Sequence, residues 1–479
     1  MTRKIDIDEL INIVSRGGKV TTGIDVYNGD GTLLLDKEFL VVSTKILERI
    51  KDAGIKEVPL SADGKGGIWD AQGNLIPSDR NESIPAAYAS KQDDGPSSFS
   101  GVSFNNVEER LHEIEESKKL AQENYVTAKQ CIKEALTDIK HTGGEFDYTK
   151  VSSQISQLTK FMTVMDNPFS YLNKEIFSFD DYLYNHSINV FTIGTMVMHK
   201  FNSIFSAFIN GHLNATEGEA YNPFDNESSA GKDTYCHFLK DELQNISIGF
   251  FLHDIGKVLV PDDILNKPGK LTDEEFDTIK KHSYDFGLSI LEKNKLNSPF
   301  ITNIVKYHHA PLYHGEDRCY PVDAQPEEIP IYAKVCKFAD IYDAMTSKRS
   351  YKEASNQINA VTQIFRSYAK KDTMLQYILQ SFIKSIGICP PGSIVFLRNG
   401  QMGYVLESQG PFVIPFTDTK GDPLSGKSDP MDLSDLNLDD AFKIDNERSV
   451  KNPRDVYDLL PTYLKPLHPE PENVSANFE

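Results

Sequence analysis

His253-Asp254-Ile255-Gly256-Lys257-Val258-Leu259-Val260-Pro261 closes an apolar run, Ile246-Ser-Ile-Gly-Phe-Phe-Leu252, and its reading decides that of the whole chain. An imidazole beside a carboxylate at the end of an apolar helix is, alone, a weak signal; a satisfied core pair is the plain alternative. Its weight comes from its neighbours. Upstream, His186 sits in Tyr184-Asn-His-Ser-Ile-Asn-Val190. Downstream, His282 rides a helix opened by the Pro268-Gly269 turn and the capping box Thr272-Asp-Glu-Glu275. His308-His309 ends a second helical run, Ile301-Thr-Asn-Ile-Val-Lys-Tyr307, and Asp340 lies in Phe338-Ala-Asp-Ile-Tyr-Asp-Ala-Met345.

Imidazole nitrogen and carboxylate oxygen together suit Mn, Fe, Zn and related divalent ions. A carboxylate can bridge two ions, so an Asp beside a His can organise a pair. Two ions about 3.5–4 Å apart share a hydroxide at neutral pH and clamp a phosphate for in-line attack. Adjacent helix residues point about 100° apart, so His308 and His309 reach one site only at a helix end or between helices. The candidate ligands are therefore His186, His253, Asp254, His282, His308, His309 and Asp340. Asp343, three residues beyond Asp340, shares its helix face; it either hydrogen-bonds a ligand histidine or stays at the surface. His314, Cys319 and His237 read as ordinary exposed residues.

The 479 residues carry 50 Lys+Arg against 70 Asp+Glu, a formal charge of −20. That balance argues against a sequence-independent grip on a nucleic-acid polymer, which needs a basic surface, and leaves room for a local basic pocket. The five cysteines are scattered, with no CxxC pair, so neither a disulfide framework nor a zinc ribbon is expected. The polar Met1-Thr-Arg-Lys start and the lack of any apolar stretch near 18 residues predict no secretory leader and no membrane span, hence a cytoplasmic location.

Working outward, residues 1–75 read as a small N-terminal α/β module. Thr32-Leu-Leu-Leu-Asp36 and Lys56-Glu-Val-Pro-Leu60 are its strands, and Ser43 and Gly54 bracket a helix between them. Residues 76–104, rich in Ser, Pro, Asp and Gly, form a linker. Residues 105–165 form a helical connector whose stripe is Leu111, Ile114, Leu120, Tyr125, Ile132 and Leu136. It either makes a homodimer seam over 105–140 or packs on its own domain. Residues 166–390 are a mainly helical metal-binding domain, interrupted by a polar loop from Ser203 to about Asp233. A short β appendage at 391–420 precedes an acidic, Pro-rich tail at 421–479 that wraps the surface or stays unstructured.

Over about residues 170–400 the chain resembles the HD-GYP family of HD-domain metal phosphohydrolases. The specific segments are His253-Asp-Ile-Gly-Lys257 and Ala339-Asp-Ile-Tyr-Asp-Ala-Met-Thr-Ser-Lys-Arg-Ser-Tyr-Lys352. The resemblance implies an HD-domain helical bundle and a two-metal centre, with Fe or Mn as the ions. It implies hydrolysis of cyclic di-GMP or a related dinucleotide by a metal-bridged hydroxide. It assigns the seven candidate ligands to the metals, with Asp254 and Lys257 at the catalytic centre and Lys257, Arg349 and Lys352 on the substrate. The family's three-metal variant carries a Glu where this chain has Tyr182, which implies two ions here.

One loop departs from the pattern. After the paired histidines the family runs Glu-Arg and ends its loop in Gly-Tyr-Pro. This chain has Ala310-Pro311 at the start and Cys319-Tyr320-Pro321 at the end. Two other readings follow: a catalytically impaired module that binds nucleotide as a scaffold, or a hydrolase of another nucleotide.

Overall fold

The computed structural model describes residues 2–29, 31–61, 66–76, 107–164, 182–214, 237–267, 269–347, 357–386, 391–407, 412–433, 438–445, 448, 451 and 453–465. Two compact units divide the chain: Met1–Gly101 with His199–Leu243, and Val102–Met198 with Gln244–Glu479.

In the first unit, strand β1 (Thr2–Asp6) runs into helix α1 (Ile7–Ser15), with the Asp6 carboxylate accepting from the Asp8 amide. Ile7, Leu10 and Val14 fall on one face of α1 and are buried. Three two-stranded antiparallel ladders follow. They pair β1 with β5 (Glu57–Ser61), β2 (Lys19–Thr21) with β6 (Gly67–Trp69), and β3 (Val26–Tyr27) with β4 (Leu33–Leu35). Helix α2 (Thr44–Asp52) starts where the Ser43 hydroxyl accepts from the Lys45 amide, and Gly54 follows it at φ +88°. The strands and helix expected at 32–36, 43–54 and 56–60 are therefore present. Ile46, Leu47 and Ile50 of α2 meet Leu10, Val20, Leu35 and Val58 in one core.

The second unit is helical. Its long helix α3 (Val107–Thr142) turns at Gly143-Gly144 into α4 (Tyr148–Val164). Leu111, Ile114, Tyr125, Ile132 and Leu136 are buried as expected, but Leu120 is 45% exposed. The buried stripe steps instead through Ala121, Ala128 and Ile139, because spacings of three, four and seven keep one face and Leu120 lies about 100° off it. Tyr125 donates to Asn185 Oδ1 on α5 (Tyr182–Asn214) at 2.8 Å, so this face of α3 is occupied within its own unit. Helix α5 runs on through Asn214, its part from His199 counted with the first unit, and so enters the stretch expected to be a loop from Ser203; Phe201, Asn202 and Ser206 are buried along it. Residues 215–233 of that expected insert lie outside the described residues.

Helices α6 (Lys240–Leu252), α7 (Asp262–Leu265), α8 (Asp273–Lys281), α9 (Leu288–Lys293), α10 (Pro299–Tyr307), α11 (Ile331–Thr346), α12 (Gln357–Tyr368) and α13 (Thr373–Ile386) complete the bundle. The capping box is formed, Thr272 accepting from the Glu275 amide and Glu275 from the Thr272 amide. An antiparallel sheet, β10-β9-β8-β7, follows, made of β7 (Ile394–Phe396), β8 (Met402–Glu407), β9 (Phe412–Pro415) and β10 (Met431–Asp432). The tail is partly ordered, with Leu460 and Leu464 buried. The architecture is thus mainly α, a helical bundle with a small α/β module before it and a short β appendage after it. Among the described residues no helix is long and apolar enough to cross a membrane.

Candidate metal centre

Five segments deliver the seven candidates. His186 projects from α5; His253-Asp254 leaves the end of α6; His282 follows α8; and His308-His309 leaves the end of α10, with Asp340 on α11. Each helix-end placement answers the 100° problem, since a residue just past a helix can turn away from its neighbour. Backbone closeness does the rest. After Asp254 the chain tightens into a 3-10 turn (Ile255–Leu259) pressed on a π-type turn (His282–Gly287). A Cβ on Gly256 would lie 2.0 Å from the His282 carbonyl oxygen and 2.6 Å from the Gly287 nitrogen, so only glycine permits this approach.

The side chains converge in two groups. One is Asp254, His282, His308 and His309; the other is His186, His253 and Asp340; within each, one ligand atom per residue lies within 4.8 Å of the others. Asp254 joins them. Its Oδ1 is 3.1 Å from His282 Nε2 and 3.6 Å from His308 Nε2, while its Oδ2 is 3.3 Å from His186 Nε2 and 3.4 Å from His253 Nε2. Asp340 reaches His186 Nε2 at 3.4 Å and His309 Nδ1 at 3.9 Å. Lys257 Nζ donates to Asp254 Oδ2 at 2.5 Å.

The outward nitrogens fix the imidazole tautomers. His253 Nδ1 contacts the Phe250 carbonyl at 2.8 Å, His282 Nδ1 that of Ile279 at 2.7 Å, and His308 Nδ1 that of Val305 at 2.9 Å. A carbonyl only accepts, so each Nδ1 carries its hydrogen and each Nε2 turns a lone pair inward. His186 Nδ1 donates in the same way to Asp343 Oδ2 at 2.7 Å. Asp343 is held in turn by Asn189 at 2.6 Å and Ser347 at 2.8 Å.

With all four rings neutral, these tautomers would leave lone pairs facing one another. His186 Nε2 faces His253 Nε2 at 3.2 Å, and His282 Nε2 faces His308 Nε2 at 3.2 Å. Two lone pairs at that distance need a proton or a cation between them. Asp254 Oδ1 is also buried without a hydrogen-bond donor among the described residues. Burial opposes the charge of Asp254, yet Lys257, His253 and His186 hold it well below the usual carboxylate range. Burial alone would push His186 down; Asp254 and Asp343 lift it to about 10. Burial keeps His282, His308 and His309 below the ordinary imidazole value, the neutral form a cation binds. The donor set fits divalent transition-metal ions.

Of the predicted site residues, all seven ligand candidates and Lys257 come together; Arg349 and Lys352 lie outside the described residues. Asp343 takes the buried option, at 1% exposure. Asn189 and Ser347 escaped the sequence reading, although i,i+3 from His186 and i,i+4 from Asp343 are the spacings that signal such support. Tyr320 also went unassigned; its ring lies 4.6 Å from that of His309. His314 is exposed and paired with Glu327, apart from the cluster.

Parts of the chain are similar to known proteins. Residues 239–373 match the model of the HD domain family. A cyclic di-GMP phosphodiesterase of Pseudomonas aeruginosa is 36% identical over 159 residues, 33% of this chain and 37% of that protein. A 3'3'-cGAMP-specific phosphodiesterase of Vibrio cholerae is 38% identical over 102 residues, 21% of this chain and 19% of that protein. The chain thus spans well under half the length of these curated relatives. A solved HDG"Y"P protein from Bdellovibrio bacteriovorus aligns over 79% of this chain and 99% of its own, at 13% identity and a TM-score of 0.34. The family match and the two phosphodiesterase relatives support the resemblance to the HD-GYP family.

Proposed function

We propose that this protein is a metal-dependent phosphodiesterase that opens cyclic di-GMP. The observation that carries the reading is the pair of inward-facing imidazole contacts at 3.2 Å, bridged by Asp254. His186, His253 and Asp340 would hold one divalent ion, and His282, His308 and His309 a second, with Asp254 shared. Fe or Mn suits that mixed nitrogen and oxygen set. When bound, such a pair supplies positive charge for phosphate oxygens and lowers the pKa of water.

The chain's own groups do the rest. Asp254 keeps its charge and spans both groups. Lys257, 22% exposed at its side chain, presents an ammonium beside Asp254 to an incoming phosphate. Arg349 and Lys352 are assigned to the substrate's phosphates or guanine on the resemblance alone. No side chain needs to act as nucleophile, and the Nδ1 anchors prevent the four rings from turning away.

The altered loop at 310–321 favours a second reading, a module that binds a cyclic dinucleotide without cutting it. The relative named for 3'3'-cGAMP makes that nucleotide the alternative substrate. Protein loaded with Mn or Fe is incubated with cyclic di-GMP and with 3'3'-cGAMP, and linear product is followed by chromatography. Linear dinucleotide from cyclic di-GMP supports the proposal. Calorimetric binding without product supports the scaffold, and turnover confined to the other nucleotide moves the substrate. Among the described residues of α3, the exposed large apolar side chains that a homodimer seam over 105–140 would use are Leu120 and Val126.

A further inference from the structure

Beside the centre lies a buried ion pair that the chemistry above does not use. Lys337 on α11 and Glu316 in the loop after α10 have side chains only 8% and 9% exposed. Lys337 Nζ donates to Glu316 Oε1 at 2.8 Å and to the Ala310 carbonyl at 2.8 Å, and lies 3.3 Å from Cys319 Sγ. Glu316 Oε1 also accepts from the Tyr368 hydroxyl at 2.8 Å, and its Oε2 from the Leu312 amide at 2.6 Å. One lysine therefore grips the loop at its start, middle and end.

The loop's ends are the parts that touch the centre. Ala310 follows His309 directly, and the Tyr320 amide donates to the His309 carbonyl at 3.1 Å. On the other side, Lys337 precedes Asp340 by one helical turn. The pair thus ties the segment bearing His309, in one ligand group, to the helix bearing Asp340, in the other. The loop does not hold its shape cheaply, since Arg318 sits at φ +61°, a left-handed conformation that non-glycine residues keep only when their surroundings enforce it.

We propose that Lys337 and Glu316 form a latch, a pair of positioning residues that sets His309 and Tyr320 against Asp340 and so fixes the spacing of the two ligand groups. The proposal rests on the metal-centre reading for its ion-binding consequence, but not on any substrate.

The test compares full-length Lys337→Met, Lys337→Arg, Glu316→Gln and Tyr368→Phe with the wild type. Three quantities are read: manganese per chain by elemental analysis, helix content by circular dichroism, and the rate of tryptic cleavage after the exposed Arg318, mapped by mass spectrometry. A released loop is cut faster, because local opening exposes it. Lys337→Met is expected to keep its helix content, lose half or more of its manganese, and be cleaved after Arg318 about tenfold faster. Lys337→Arg should restore both. A pair that merely fills space would leave ion content and cleavage unchanged well below the melting point, and that result in folded Lys337→Met overturns the latch. Should Lys337→Met not fold, Glu316→Gln and Tyr368→Phe carry the same two readouts, and wild-type values in both overturn it equally. Absence of dinucleotide turnover in the wild type would sink the proposed activity while leaving these measurements intact.

Discussion

Asp343 Oδ2 and His186 Nδ1 meet at 2.7 Å, although 157 residues separate them in the chain. Both are almost fully buried, and Asn189 and Ser347 complete the hydrogen bonds of the carboxylate. The contact keeps a hydrogen of His186 on the outward nitrogen, so that Nε2 is the atom facing the cluster and the one an ion would have to deprotonate.

Asp343→Asn is expected to weaken metal binding by about 10–100-fold, the usual cost of losing the partner of a ligand histidine. An amide nitrogen turned toward His186 would favour the opposite tautomer, in which Nε2 carries the hydrogen and cannot ligate. Competition with a chromophoric chelator measures the shift. Unchanged affinity would show that this carboxylate does not govern the ring.

Acidity should compete with the ion at the same residue. The folded value of His186, about 10, lies above the ordinary 6.5. In ion-free protein its proton therefore contributes stability that is fully present below about pH 6.5 and is lost as pH rises through about 10. An ion must displace that proton throughout this window, so apparent Mn²⁺ affinity is expected to rise by up to about tenfold per pH unit between about pH 7 and 8. Calorimetric titration in buffers of different ionisation enthalpy reads both the slope and the proton released. A flat profile would mean that His186 is already unprotonated.

Gly256→Ala should be far costlier than its single methyl suggests. The new Cβ would meet the His282 carbonyl oxygen at 2.0 Å and the Gly287 nitrogen at 2.6 Å, both backbone atoms with nowhere to retreat. Overpacking of this kind costs about 3 kcal/mol or more. Denaturant unfolding measures it, and elemental analysis should show fewer ions, because His282 moves with the displaced turn.

His253→Ala and Asp254→Ala should lose ion content and turnover together. Removing the ions with a chelator should lower the wild type's unfolding free energy by about 2.7 kcal/mol relative to protein held at a hundredfold excess over the dissociation constant. The same treatment should barely move Asp254→Ala, which has little left to release. Equal responses of the two proteins would place the ion elsewhere.

The centre was legible because its parts are local: an adjacent His-Asp, an adjacent His-His and a capped helix each announce themselves within a few residues. Asp343 was visible from its spacing to Asp340. What could not be read was the pairing of distant groups. Lys337 with Glu316 and Tyr368, or Tyr125 with Asn185, leave no periodic trace. In the first unit, strands as short as β2, β3 and β6 offer too few residues for alternation to be recognised. On α3, Leu120 attracted the stripe through its hydrophobicity, whereas the buried path runs through small alanines that composition hardly marks.

Three of the inward-facing rings are steadied in the same manner, each by the carbonyl three positions earlier in its own stretch of chain: Phe250 for His253, Ile279 for His282 and Val305 for His308. Their aim is thus written into short neighbouring backbone rather than borrowed from remote scaffolding. The aim of these rings is therefore a local property of the chain. Surrounding loops can be rewritten to admit a different guest while the rings keep their bearing.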